Sequence, residues 1–155
     1  MDDYVLDQTD LAILNLLQRD ALLTNKELAH QLHKSPTPIY DRVRRLQDLK
    51  FIKKYVAIVD HSKIGEYMTA YLQVQIKEHS KDALLSFQRD VHAFSEVMEC
   101  YHTTGGFDFM LKVVTPNMNK YNDFLLQKLG SLPNIGTLQS SVVISHVKHE
   151  TAFSL

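Results

Sequence analysis

Ser35-Pro36-Thr37-Pro38 constrains this chain more than any other stretch. Proline fixes φ and carries no N–H, so two prolines one residue apart fit a helix only in its first turn. Ser35 suits the N-cap, where its hydroxyl can accept a first-turn amide. Ile39, Val43 and Leu46 then recur at helical spacing as a narrow apolar stripe. Thr37, Asp41, Arg44, Arg45 and Asp48 fall on the far side, with Pro38 at its margin. Arg42 flanks the stripe, and two readings stand for it: an anchor to an acidic partner in the protein, or a DNA contact. A helix that turns Thr and two Arg outward suits base edges and phosphates. Taken alone, the plainer reading is an amphipathic helix with a solvated charged face.

Its surroundings shift that balance. Asp7 to Asp20 reads as a helix capped by Asp7, with Leu11, Leu14 and Leu17 inward and Ile13 flanking them. Thr24-Asn25-Lys26-Glu27 is a capping box that opens a second helix through Leu28, Ala29 and Leu32. His33-Lys34 leaves only a brief turn before Ser35, which is a helix-turn-helix arrangement. The net charge of −1 hides a local excess. From His33 to Tyr55 seven basic residues face two acids, a window of +5, while Asp2, Asp3, Asp7 and Asp10 gather elsewhere. A basic patch on a near-neutral chain favours phosphate contacts there without general stickiness.

Beyond Leu49 the rhythm changes. Lys50 to Asp60 is β-branched and aromatic: a short wing first, then a strand over Tyr55–Val59. Ala70, Leu72, Val74 and Ile76 alternate with polar neighbours as a strand, and Lys81–His92 is a helix. Val97–Thr104 and Phe107–Val114 form a hairpin across Gly105-Gly106. Met118–Leu132 is a further helix and Gly136–Val147 a last strand. The fold class is α+β, an N-terminal winged helix-turn-helix domain followed by a ferredoxin-like βαββαβ domain. The boundaries predicted are 1–53 for the first domain, 54–65 for a linking strand and hinge, and 66–155 for the second. The Tyr, Thr, Met and Val content of the sheet face without helices points to cover by another protein surface.

Four motifs in order, Leu6–Leu14, Ser35–Leu46, Thr104-Gly105-Gly106-Phe107-Asp108-Phe109 and Val147-Lys148 with Thr151, resemble the Lrp/AsnC (leucine-responsive, feast/famine) family of transcription regulators. The resemblance implies a sequence-specific DNA-binding regulator whose second domain binds an effector, an amino acid or related metabolite, and oligomerises. It implies DNA contacts at Ser35, Pro36, Thr37, Pro38, Asp41, Arg42, Arg44 and Arg45, and effector contacts at Thr104, Gly105, Gly106, Asp108 and Ser140. It also implies a homodimer assembling into a tetramer or octamer, with Lys54–Asp60 pairing with its symmetry mate. Two departures stand out. Lys50 occupies a helix end where the family often has Gly, so it either caps the helix or reaches a phosphate. His33-Lys34 replaces the usual small turn residues and puts the tight turn in question.

The residues themselves leave other readings open. Gly105-Gly106 can be a plain hairpin turn, and Asp108 either recognises an α-amino group or caps the turn. The rival function is an amino-acid-sensing module acting through protein partners rather than DNA. His30/His33 and His146/His149 have two-ligand spacing, but without cysteine support they argue against structural zinc, and no metal or cofactor is expected. The lone Cys100, alternating within a strand, reads as buried packing. No nucleophile elbow or phosphate-binding glycine loop is present, so no enzyme is expected. No apolar run approaches the ~20 residues that span a bilayer, and a cytoplasmic, membrane-free protein is expected.

Overall fold

The computed structural model describes residues 4–155; Asp2 and Asp3, counted above among the N-terminal acids, lie outside them. The chain divides into two compact units. One comprises the residues up to Ile58 together with Val147–Leu155, and the other is Val59–His146.

In the first unit three helices surround one core: α1 (Gln8–Arg19), α2 (Asn25–Gln31) and α3 (Pro36–Asp48). Ile13, Leu14, Leu17, Leu28, Ala29, Ile39, Val43 and Leu46 are its buried residues. The expected stripe of α3 is therefore its inward face. Both of the first two helices open on reciprocal caps. Thr24 and Glu27 form the expected box, and Asp7 pairs in the same way with Asp10. Ser35 does not cap α3 with its side chain, contrary to expectation. An N-cap side chain bonds the N2 or N3 amide; Pro38 removes the N3 amide, which leaves Thr37 as the one donor within reach, and the Ser35 hydroxyl does not bond it.

The α2–α3 turn is tight after all. His33 takes φ 53°. Its amide donates to the His30 carbonyl at 3.2 Å, and the Lys34 amide to Ala29 at 2.9 Å. This is the Schellman closure, built without glycine. Lys50 likewise adopts φ 63°, so it does form the end of α3. Its amide donates to Gln47 at 3.0 Å and that of Ile52 to Leu46 at 3.1 Å. The first part of Lys50–Asp60, where the wing is expected, is a turn and a bend, and Tyr55–Val59 is not a strand within one chain. Tyr55, Val56, Ile58 and Val59 are exposed, and among the described residues no strand pairs with this segment.

The second unit is a four-stranded antiparallel sheet in the order β2-β3-β1-β4. The strands are β1 (Met68–Ile76), β2 (Val97–His102), β3 (Phe109–Thr115) and β4 (Ile135–Val142). Helices α4 (Lys81–His92) and α5 (Met118–Asp123) pack on one face through Phe87, Val91 and Tyr121, with Phe124 just beyond α5. This is the ferredoxin-like topology. Beyond α5 the helix widens into a π turn at Phe124–Lys128 and tightens over Leu129–Ser131. A β-carbon on Gly130 would lie 2.9 Å from the Leu125 carbonyl oxygen, so glycine permits that close approach. The register puts Tyr71, Lys112 and Ser141 in one row of the other face, and Gln73, Met110 and Gln139 in the next. Cys100 lies on the edge strand β2 and is exposed, not buried as expected. β4 stops at Val142, five residues short of its expected end, and Val147–Leu155 belong with the first unit.

A side chain at positive φ costs roughly 1 kcal/mol relative to glycine. Lys50→Gly is expected to raise the stability of the first unit by about 0.5–1 kcal/mol, read as a higher urea midpoint at unchanged slope.

Candidate DNA-reading helix and effector turn

With Ile39, Val43 and Leu46 buried, Ser35, Pro36, Thr37, Pro38, Asp41, Arg44 and Arg45 are all exposed along one side of α3. Tyr40 is exposed with them at 50% and was missed from sequence. Its spacing, three residues after Thr37 and four before Arg44, was the available signal. Arg44 is 3.9 Å from Asp48 at the surface, a pair of little energetic consequence.

Arg42 answers the question that the sequence left open. Its Nη1 donates to Asp7 Oδ2 at 2.7 Å and to Asp10 Oδ1 at 2.8 Å. It is therefore a strut from α3 to the start of α1. Asp10 is fully buried, and it also accepts from the Tyr4 hydroxyl at 2.7 Å and the Asp7 amide at 3.2 Å. Among the DNA contacts expected from sequence, Arg42 is thus held by two ion pairs within the protein. The Asp10 amide, and after it the Arg42 guanidinium, hold the Asp7 carboxyl below its ordinary value. The bond to Asp10 pushes the Tyr4 phenol up. Arg45 is steered by the same residue: its Nη1 donates to the Tyr4 hydroxyl at 3.3 Å, and its guanidinium lies 5.2 Å over the Tyr4 ring.

Thr104, Gly105, Gly106 and Asp108 come together in the β2–β3 hairpin. Gly105 has φ 121°, a conformation that requires glycine, although added β-carbons on either glycine would meet open space. The turn closes through the Thr103 amide to the Asp108 carbonyl at 2.8 Å and the Thr103 hydroxyl to Phe107 at 2.9 Å. The Asp108 carboxylate does not cap its own turn. It accepts the Ile76 amide at 2.7 Å, where the β1–β4 register shifts between Val74 and Ile76. His79 Nε2 stands 3.0 Å from its other oxygen. Neither partner was foreseen, because 29 or more residues separate them from Asp108. Ser140 is not part of this cluster: it lies on β4, beyond β1, and accepts the Tyr121 hydroxyl at 2.7 Å. Among the described residues, no three His, Cys, Asp or Glu side chains group as a metal site, and no helix is long and apolar enough to cross a membrane.

An outward-turned helix in a helix-turn-helix unit, joined to a ferredoxin-like sheet domain, defines a two-domain DNA-binding regulator. Residues 6–53 match the family model for winged helix-turn-helix DNA-binding, and residues 69–153 match that for the Lrp/AsnC ligand binding domain. The chain belongs to the Lrp/AsnC family of transcriptional regulators. It is 36% identical over 144 residues to transcriptional regulator AzlB of Bacillus subtilis, covering 93% of this chain and 92% of that protein. It is 33% identical over 143 residues to the leucine-responsive regulatory protein of Escherichia coli, covering 92% and 87%. Among solved structures, a transcriptional regulator from Neisseria meningitidis in complex with L-Met superposes with a TM-score of 0.89 at 33% identity, over 96% of each chain.

Asp10→Ala removes the acceptor shared by Arg42, Tyr4 and the Asp7 amide. The expected loss is roughly 2–3 kcal/mol in urea unfolding, less than the ~3–5 kcal/mol of a fully buried pair because the Arg42 end meets water. Asp7, with its lowered folded value, contributes stability that is present above the ordinary carboxylate range and lost as pH falls through the folded value. Urea midpoints should therefore drop below about pH 4, and Asp7→Asn should flatten that acid limb.

Proposed function

We propose that α3 enters the DNA major groove, with Thr37, Pro38, Tyr40 and Asp41 at base edges and Arg44 and Arg45 at phosphates or guanine. The observation that carries this reading is the unbroken exposed side of α3 in the +5 window, with Arg42 withdrawn to hold the helix on α1. Ser35, whose hydroxyl makes no cap bond, is free to meet a phosphate. Residues 1–53 act as the reader, 54–65 as a hinge, and 66–155 as the effector and assembly domain, its tail returning to α1.

Two copies form a dimer. Their segments Lys54–Asp60 pair, which would cover the exposed Tyr55, Val56 and Ile58, and further association gives a tetramer or octamer. The dimer presents two α3 helices about one DNA turn, ~34 Å, or a multiple of it apart. The protein acts on DNA in the cytoplasm and does no chemistry on its effector. That effector is a small amino acid, by analogy with the relative bound to L-Met. It is held at Thr104, Gly105, Gly106 and Asp108, while Ser140 on β4, expected beside them, is taken up by the Tyr121 hydroxyl. An α-amino group suits the Asp108 carboxylate, which already takes one amide and faces His79. Backbone amides of the glycine turn suit the α-carboxylate.

Anisotropy with a duplex selected in vitro by the intact chain tests the reader. Arg44→Ala with Arg45→Ala should weaken binding at least tenfold and lower the salt slope by about 2. Unchanged affinity would remove α3 from the interface, and salt-independent binding would favour a protein-partner role.

A thermal-shift screen of the twenty amino acids tests the effector site. A ligand at 100 times its Kd adds about 2.7 kcal/mol of stability and should raise the melting temperature by several degrees. Asp108→Asn should abolish the shift, and no shift with any amino acid would refute the assignment.

A further inference from the structure

The outer face of α1 carries two side-chain amides, Asn15 and Gln18, three residues apart, and both grip the backbone of the tail. Gln18 Nε2 donates to the Phe153 carbonyl at 3.0 Å, and the Phe153 amide donates to Gln18 Oε1 at 3.2 Å. The Leu155 amide donates to Asn15 Oδ1 at 3.2 Å, and Asn15 Nδ2 reaches the Leu155 carbonyl at 3.5 Å. A primary amide has the donor–acceptor pair of a peptide group, so each closes a two-bond ring with one tail residue and reads backbone rather than side chain. The spacings are compatible: ~4.5 Å along a helix for i, i+3 and ~6.6 Å along an extended chain for i, i+2, with the longer glutamine reaching further. The Phe153 side chain itself is 69% exposed, so its packing contributes little to the docking.

We infer that the Asn15–Gln18 face of α1 is a peptide-backbone clasp. Its occupant is this chain's own Phe153–Leu155, and the docked tail is a second tether on the DNA-reading unit. The chain passes between the two units twice, near Ile58 and near Val147. A body held at one point can swivel about it, whereas a body held at two points keeps at most one axis of rotation. Only residues 143–146 separate the end of β4 from the tail, so β4 connects covalently to the clasp on α1. From α1, Asp7 and Asp10 reach α3 through Arg42. With the tail docked, Thr37, Pro38, Tyr40, Asp41 and Arg44 remain exposed, so the clasp positions the reader without covering it. The swivel argument stands apart from the proposed DNA reading; only its DNA arm rests on that reading.

The test uses the full chain carrying Asn15→Ala with Gln18→Ala, both at partly exposed positions where alanine favours the helix. Phe153→Pro is a second variant. It removes one amide from the tail and touches neither core. In both, exchange protection of the Leu155 amide should fall at least tenfold. Nitrogen-15 relaxation should show the first unit tumbling faster, with the second unchanged. Affinity for a duplex with one half-site should stay within twofold, while affinity for the two-half-site duplex should drop about fivefold. Retained protection overturns the clasp. Lost protection with unchanged relaxation overturns the tether. If no duplex binds the intact chain, the reading of α3 fails, and relaxation still decides the tether.

Discussion

Asp10 is the point on which the first unit depends. A carboxylate at zero exposure is costly unless its lone pairs are filled. Here the Asp7 amide, the Tyr4 hydroxyl and the Arg42 guanidinium fill them. One residue thereby joins the cap of α1, the segment before it and the middle of α3. The apolar contacts of Ile39, Val43 and Leu46 bring α3 to the core, but such contacts are non-directional. The strut, with Nη1 shared between Asp7 and Asp10, fixes the helix's rotation about its own axis, and rotation decides which side chains face outward. Tyr4 extends the network to Arg45, so the outward guanidinium proposed for DNA is oriented from within the protein.

The second unit has a comparable device. The Asp108 carboxylate ties the hairpin turn to the end of β1, where the sheet register shifts. The turn geometry therefore depends on a strand two elements earlier in the chain. Gly105 supplies the left-handed backbone and Asp108 supplies the fastening.

Periodic features were legible in the sequence. The α3 stripe, the Thr24–Glu27 box, the alternation of β1 and the βαββαβ order all rest on spacing within a few residues, and the structure has them. Ser35 shows a rule applied without its neighbours, because Pro38 removes one of the two amides that a cap can bond. Long-range features were not legible: Arg42 meets Asp7 and Asp10 across 35 and 32 residues, and the tail meets α1 across 135 and 140. No local pattern encodes such meetings. His33 and Lys50 show tertiary demand overriding preference, since each holds a left-handed turn that glycine would hold at less cost. Tyr55–Val59 shows the converse, strand propensity without a partner in its own chain. The placement of the DNA and effector contacts came from family likeness, with Tyr40 and His79 added from the geometry.

The start of α3 has a consequence for selectivity among anions. A helix N-terminus ordinarily offers several free amides to any small anion that arrives. Prolines at the first and third positions leave Thr37 as the only amide among the first three residues of α3. Inorganic phosphate or sulfate thus finds few donors at the tip, and competition from the ionic contents of a cell is blunted there. In the proposed reading, recognition at that end passes to side chains, whose reach and shape suit one base step better than another.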